Sequence, residues 1–259
     1  MDLDLKGKVA IVGGGSQGIG LGIARTLAAE GATVVVTARR ERDLVKAVAQ
    51  IKAETGGDVD HVQADCRVAE DCSRVVDTVK SRHGGIDILV NNDGAPPLGD
   101  VLGFDDVAWS KAVEQNLMYV VRMVRECVPS MKARGGGSIL NVTAISAIQP
   151  IPGFALSVAT WAGVIGYAKT LSLEIADAGI NVNTICPGYV DTTRLQKVFA
   201  AGGEDPAVVQ ARLVAEIPMR RIARVEDIAS LVALLVSPRG AYITGTAIQV
   251  DGGLLRAVR

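Results

Sequence analysis

Aromatic side chains are scarce in this chain: 2 Trp, 4 Tyr and 3 Phe make up 3% of 259 residues. The core must therefore be aliphatic, which suits helices packed on a buried parallel sheet. Histidine is scarcer still, with only His61 and His83, and the four cysteines Cys66, Cys72, Cys127 and Cys186 form no Cys-x-x-Cys pair. That argues against a structural metal site, and reduced cytoplasmic thiols are the simplest reading. Neither sign of charge is in excess: Lys+Arg is 27, Asp+Glu is 28 and the net charge is -1. The basic face of a nucleic-acid binder is thus missing. Long apolar runs are missing too. Leu231 to Val236 is far too short to cross a bilayer. Met1 to Lys8 alternates charged with apolar residues instead of forming a signal-peptide core.

What is present is an alternation of strand-length apolar runs with helical patterns. Lys8 to Val12, Thr33 to Ala38, Val59 to Ala64, Asp87 to Asn91, Ser138 to Val142, Ile180 to Cys186 and Ala247 to Val250 read as strands. Helical patterns lie between them, at Gly18 to Glu30, from Glu41 onward, at Asp105 to Arg134 and at Ala155 to Asp177. This order predicts an α/β fold, a doubly wound parallel sheet covered by helices on both faces. No linker or internal repeat divides residues 1–259, so one domain is expected. Residues 196–218 are the least regular stretch and are expected to form a lid over the ligand cleft.

The first strand runs directly into Gly13-Gly14-Gly15-Ser16-Gln17-Gly18-Ile19-Gly20 and then a helix. Glycines let the chain turn tightly and let a pyrophosphate approach the N–H groups of the helix start, where the helix dipole favours an anion. In this strand–turn–helix context the pattern reads as a dinucleotide site. The second strand ends in Ala38-Arg39-Arg40, with no carboxylate to bind an adenosine 2′-hydroxyl. Arg39 can pair with a 2′-phosphate, so NADP(H) is favoured over NAD(H). The competing reading of Arg39 and Arg40 is a solvated helix start. Asp65, after the third strand, is placed either to meet the adenine edge or to cap the next helix.

Several further motifs occur in order: Asn91-Asn92-Asp93-Gly94, Glu114-Gln115-Asn116-Leu117, Pro187-Gly188-Tyr189-Val190-Asp191-Thr192 and Asp251-Gly252-Gly253. With the glycine-rich turn they resemble the short-chain dehydrogenase/reductase family over essentially the whole chain. Gly13 stands where the family has Thr, and Asp93 where it has Ala. The resemblance implies a seven-stranded Rossmann-type domain. It implies a cofactor held by Gly14, Ser16, Gln17, Gly18, Ile19, Gly20, Arg39, Asp65, Asn92, Pro187, Gly188, Val190 and Thr192. It also implies a small-molecule substrate, and a homotetramer or homodimer built through the helices at 105–134 and 155–177.

The family's reaction uses a Tyr and, four residues on along one helix face, a Lys, with a Ser upstream. No such Tyr exists here. Tyr119 is followed at that spacing by Met123, Tyr167 by Leu171, Tyr189 by Thr193 and Tyr242 by Thr246. The register set by the flanking helix puts Ser157 at the Tyr position, Trp161 at the Lys position and Ala144 at the Ser position. Of the family's four catalytic residues only Asn116 remains. Trp161 offers one N–H donor and no charge, so it would stack beside the cofactor or intrude on its pocket.

Other polar groups are expected around the same cleft: Asp93, Thr143, Ser146, Ser157, Tyr189 and Thr192. Asp93 is a candidate acid or base, its pKa raised by the nearby phosphates, or else a loop cap. Tyr189 is a candidate proton donor from the opposite wall, or a packing residue. Asn116, Ser157, Asp93 and Tyr189 thus form the candidate catalytic set. Three readings follow. The first is an NADP(H)-dependent carbonyl or alcohol oxidoreductase with a non-standard active site. The second is a non-redox lyase, hydrolase or isomerase on the same scaffold. The third is an NADP-binding pseudoenzyme or regulatory subunit. The first is taken as the leading expectation.

Overall fold

The computed structural model describes residues 2–92, 94, 96–200 and 203–256. The aliphatic runs form β1 (Val9–Gly13), β2 (Thr33–Ala38), β3 (Val59–Gln63), β4 (Ile88–Asn91), β5 (Gly137–Val142), β6 (Ile180–Pro187) and β7 (Ala247–Val250). They make one parallel sheet in the order β3-β2-β1-β4-β5-β6-β7. This is the doubly wound α/β architecture the sequence predicts.

Along β1 and β2 the side chains alternate between two separate cores. Ala10, Val12, Val34 and Val36 face one, packed against α1 (Gly18–Ala29), α2 (Glu41–Thr55) and α9 (Val225–Leu235). Val9, Ile11 and Val35 face the other, packed against α3 (Ala69–His83), α5 (Tyr119–Ala133) and α6 (Ala155–Ile175). Burial on both faces explains why these strands read as continuous apolar runs rather than as apolar–polar alternation. At the sheet end where β1 begins, Asp87 is buried and accepts hydrogen bonds from the Val9 N–H at 2.9 Å and from Arg134 at 2.9 and 3.0 Å. This pairing ties β1 to the end of α5.

Two segments differ from expectation. The single helix expected over 105–134 is interrupted: α4 (Asp106–Val113) passes into a five-residue π-turn, Glu114–Met118, before α5 begins. A π-turn adds one residue to a single turn, an interruption too short to stand out from the helical pattern on either side. The stretch 196–218 is not irregular. It lies largely within α7 (Thr193–Ala200) and α8 (Pro206–Glu216), the latter started by the Asp205 carboxylate accepting from the Ala207 N–H at 2.9 Å. Among the described residues, no helix is long and apolar enough to cross a membrane, and no group of three or more His, Cys, Asp or Glu is placed to hold a metal.

The sheet order places β1 beside β4, with the chain continuing outward in opposite directions from that pair. The crevice at the carboxyl ends of these two strands is the topological switch point, where open α/β sheets bind ligands.

Candidate active site

At the crevice the glycine-rich turn and the end of β4 are packed too closely for side chains. Gly14 has φ +59°, and a Cβ there would lie 2.1 Å from the Asn92 carbonyl oxygen. A Cβ on Gly20 would lie 2.4 Å from the Gly14 carbonyl oxygen. The Asn92 side chain fastens the two loops by donating to the Gly13 carbonyl at 3.2 Å. Ser16 and Gln17 lead into α1, and the Gln17 side chain makes no capping bond. Among the described residues the N–H groups of Gly18, Ile19 and Gly20 have no hydrogen-bond partner, as expected for a first helical turn. Across from them, the Thr192 methyl would sit 3.4 Å from a Cβ on Gly18. The Thr192 hydroxyl serves the start of α7, accepting from the Leu195 N–H at 3.4 Å.

Arg39 and Asp65 line a second, open groove of about 610 Å³ at the ends of β2 and β3. Arg40 is paired with Asp43 at 2.6 Å. Arg39 forms no direct ion pair among the described residues, although its charge helps to hold the Asp65 carboxyl down. The main cause of the low Asp65 pKa is Arg67, whose Nε donates to Oδ1 at 2.8 Å. Asp71 is lowered by the Asp65 backbone N–H, which it accepts at 2.8 Å, and then by Arg74. Both carboxyls have folded pKa values below their ordinary 3.8. The stability they contribute is therefore fully present above that value and is lost as pH falls through the lowered folded values. The melting temperature should hold down to about pH 4 and then drop, with Arg67→Gln weakening the acid-side dependence; thermal melts across the acid range check this.

A cavity of about 160 Å³ opens beside the first turn of α1. Ser157 and Trp161 line it from α6, Pro187, Gly188, Tyr189, Val190 and Thr192 from the end of β6, and Ala144 and Ser146 from the end of β5. Ile19 belongs both to the glycine-rich turn and to this cavity wall. Ser157 is buried, and its hydroxyl makes no hydrogen bond among the described residues. The Ser146 hydroxyl is buried without a partner. Thr143, by contrast, is used locally: its hydroxyl donates to the Ile185 carbonyl at 3.1 Å and lies 3.3 Å from Cys186 Sγ. Tyr189 is half-buried, and burial, followed by the negative charge of Glu216, pushes its pKa above the ordinary 10.0.

Asn116 is not on the cavity wall. It sits in the π-turn, fully buried, and its amide donates to the Thr160 hydroxyl at 2.8 Å while Oδ1 has no partner. Thr160 in turn donates to the Leu156 carbonyl at 2.7 Å, fixing the turn of α6 that carries Ser157 and Trp161. Asp93 lies outside the described residues. Sequence reasoning did not single out Thr160 or Arg194. Arg194 lines the cavity from the first turn of α7, and its position just after the Pro-Gly-x-Val-x-Thr run was the available signal.

Comparison with known proteins gives consistent results. The family model described as Enoyl-(Acyl carrier protein) reductase matches residues 14–255. Dehydrogenase/reductase SDR family member 4 of Oryctolagus cuniculus is 36% identical over 253 residues, covering 96% of this chain and 94% of that protein. The crystal structure of L-sorbose reductase from Gluconobacter frateurii, complexed with NADPH and L-sorbose, superposes with a TM-score of 0.96 at 36% identity, covering 100% of both chains. A point variant of actinorhodin polyketide ketoreductase with NADPH gives a TM-score of 0.92 at 34% identity, covering 96% of this chain and 98% of that one. These likenesses extend from the glycine-rich turn to the last strand, and the chain belongs to the short-chain dehydrogenase/reductase family.

Proposed function

We propose that this protein is an NADP(H)-dependent oxidoreductase interconverting a carbonyl and an alcohol, with a non-standard set of catalytic groups. The observation that carries the reading is the double role of Ile19. Its N–H stands in the unpartnered first turn of α1, and the same residue lines the cavity that Ser146, Ser157 and Tyr189 also line. The NADPH-bound relatives support the choice of cofactor. The residues present fit the group. The Gly14–Gly20–Asn92 contacts hold the turn where a side chain would not fit, the N–H groups of residues 18–20 would take the pyrophosphate, and Arg39 would take a 2′-phosphate. Asp65, Pro187, Gly188, Val190 and Thr192 would border it, and residues 196–218 would cover the cleft. When bound, the cofactor supplies or accepts the hydride.

The chain's own groups then handle the oxygen. Ser146 and Ser157 hold the carbonyl oxygen by donating hydrogen bonds. Tyr189, kept protonated through the neutral range by its raised pKa, donates the proton that the new alcohol needs. Trp161, in place of a lysine, supplies an apolar wall that excludes water. Asn116 acts behind that wall, positioning α6 through Thr160. Assembly as a homotetramer or homodimer through the helices at 105–134 and 155–177 belongs to the same reading, and Leu173, 74% exposed on α6, is an apolar side chain such an interface would cover.

The test is ketone reduction with NADPH and NADH by wild type and Tyr189→Phe. The variant should lose about 10²-fold in kcat with NADPH affinity unchanged. Because burial and Glu216 raise the Tyr189 pKa above the ordinary 10.0, wild-type activity should persist through pH 10.0 and fall only above it. An unchanged kcat in the variant would remove Tyr189 from the mechanism. Trp161 itself favours a second reading, cofactor binding without turnover, because an uncharged indole lowers no neighbouring hydroxyl pKa. Tight NADPH binding with no reduction of any ketone or oxidation of any alcohol in a broad panel would select it.

A further inference from the structure

The cavity at the reactive end is mostly hydrocarbon. Ile145, Ile151, Phe154, Leu195 and Val198 complete its wall, and Arg194 is the one charged side chain among its described lining residues. Arg194 stands at the mouth on the first turn of α7. Nη2 donates to the Pro96 carbonyl at 3.1 Å, which fixes the guanidinium and leaves its other N–H groups available. No carboxylate pairs with it among the described residues. Asp191, the nearest acid in sequence, faces Gln196 instead, accepting from it at 3.4 Å. The first turn of α7 carries no acidic residue, so the positive end of the helix dipole adds to the Arg194 charge rather than offsetting it. Part of the guanidinium is crowded enough that loss of water lowers its pKa. Arg194 is exposed as a whole residue, so its free N–H groups are open to an anion that enters the cavity. On the inner side, the buried, unpartnered Ser146 hydroxyl awaits a second polar contact.

We propose that the cavity takes a small carbonyl compound with an apolar body and a carboxylate, the carboxylate being held by Arg194. The apolar lining and the single cation favour oxo acids with a hydrocarbon body over polyhydroxylated ketones. This assignment deepens the oxidoreductase reading of the same site and rests on it for the role of the carbonyl.

The test is isothermal titration of the protein, with and without NADP⁺, using levulinate and ketoisocaproate, each beside its own methyl ester. Wild type should bind at least one acid about tenfold more tightly than its ester. Arg194→Leu should lose that preference while its ester affinity stays the same, and Arg194→Lys should recover part of it, since the charge remains but the planar fork does not. Equal binding of acid and ester by wild type, no binding of either acid, or an unchanged preference in Arg194→Leu overturns the assignment. The wild-type acid–ester comparison decides the question even if a variant fails to fold. Acid preference without any hydride transfer would leave Arg194 in this role and remove the oxidoreductase reading. Turnover of neutral ketones with no acid preference would do the reverse.

Discussion

Gly14→Ala should abolish NADPH binding and lower the unfolding free energy by about 2–6 kcal/mol, since it combines two costs. A non-glycine residue at φ +59° costs about 1–3 kcal/mol in backbone strain. The added Cβ would also be driven to 2.1 Å from the Asn92 carbonyl oxygen. That atom is backbone and cannot rotate away, so the β4 loop must move, with a further overpacking cost of about 1–3 kcal/mol. Gly56→Ala provides the control. Gly56 also has positive φ, +66°, but nothing lies within 4 Å of its Cβ position, so it should show the strain without the clash. Urea unfolding gives the stability difference, and fluorescence titration with NADPH gives the binding loss. Equal destabilisation by the two substitutions would show that the close approach of the loops is not what demands glycine at position 14.

The second large effect is a gain. Ala144→Ser, Ser157→Tyr and Trp161→Lys together should raise ketone reduction by about 10²–10⁴-fold. All three positions line the one cavity. Residues 157 and 161 are four apart on α6 and so share a helix face. In that geometry a Lys ammonium lowers the pKa of the Tyr and makes it an efficient acid and base near neutral pH. The exchange enlarges one side chain and shrinks its neighbour, so Trp161→Lys offsets only part of the volume that Ser157→Tyr adds. NADPH-linked turnover of the triple variant against wild type is the measurement. A folded triple variant that binds NADPH and gains nothing would locate the difference from the family in the shape of the cavity instead.

The sheet was almost fully legible in the sequence because buried parallel strands announce themselves as aliphatic runs. All seven expected strands match to within one residue at either end. The crevice was legible for a related reason: glycines crowded into a strand–helix junction mark a tight turn that keeps its backbone open to an anion. Residues 196–218 were less well read. The capping signal was there in Asp205-Pro206, an acceptor followed by a proline at the first helical position, but polar residues and a nearby Gly-Gly pair obscured it. The interruption at Asn116 was too short to stand out from the helical pattern on either side. The Asn116–Thr160 bond could not be foreseen, since its partners are 44 residues apart and meet only through the packing of α6. Ser146 and Thr143 looked equivalent in the sequence. Only the positions of the Ile185 carbonyl and Cys186 separate a hydroxyl already engaged from one that is free.

The two cores of the sheet bear on how such a site can change. The helix that presents the cofactor turn is rooted on one side through Ile23, Ala24 and Leu27. The helix bearing Ser157 and Trp161 is rooted on the other through Val164, Ala168 and Ile175. A layer of strand backbone separates the two foundations, and the helices approach each other only above the strand ends. Residues at one foundation can be exchanged, or lost, without loosening the other. Grip on the dinucleotide and the identity of the proton-handling groups are therefore separable traits in this architecture. Change in one helix can proceed while the nucleotide cradle on the other is inherited undisturbed.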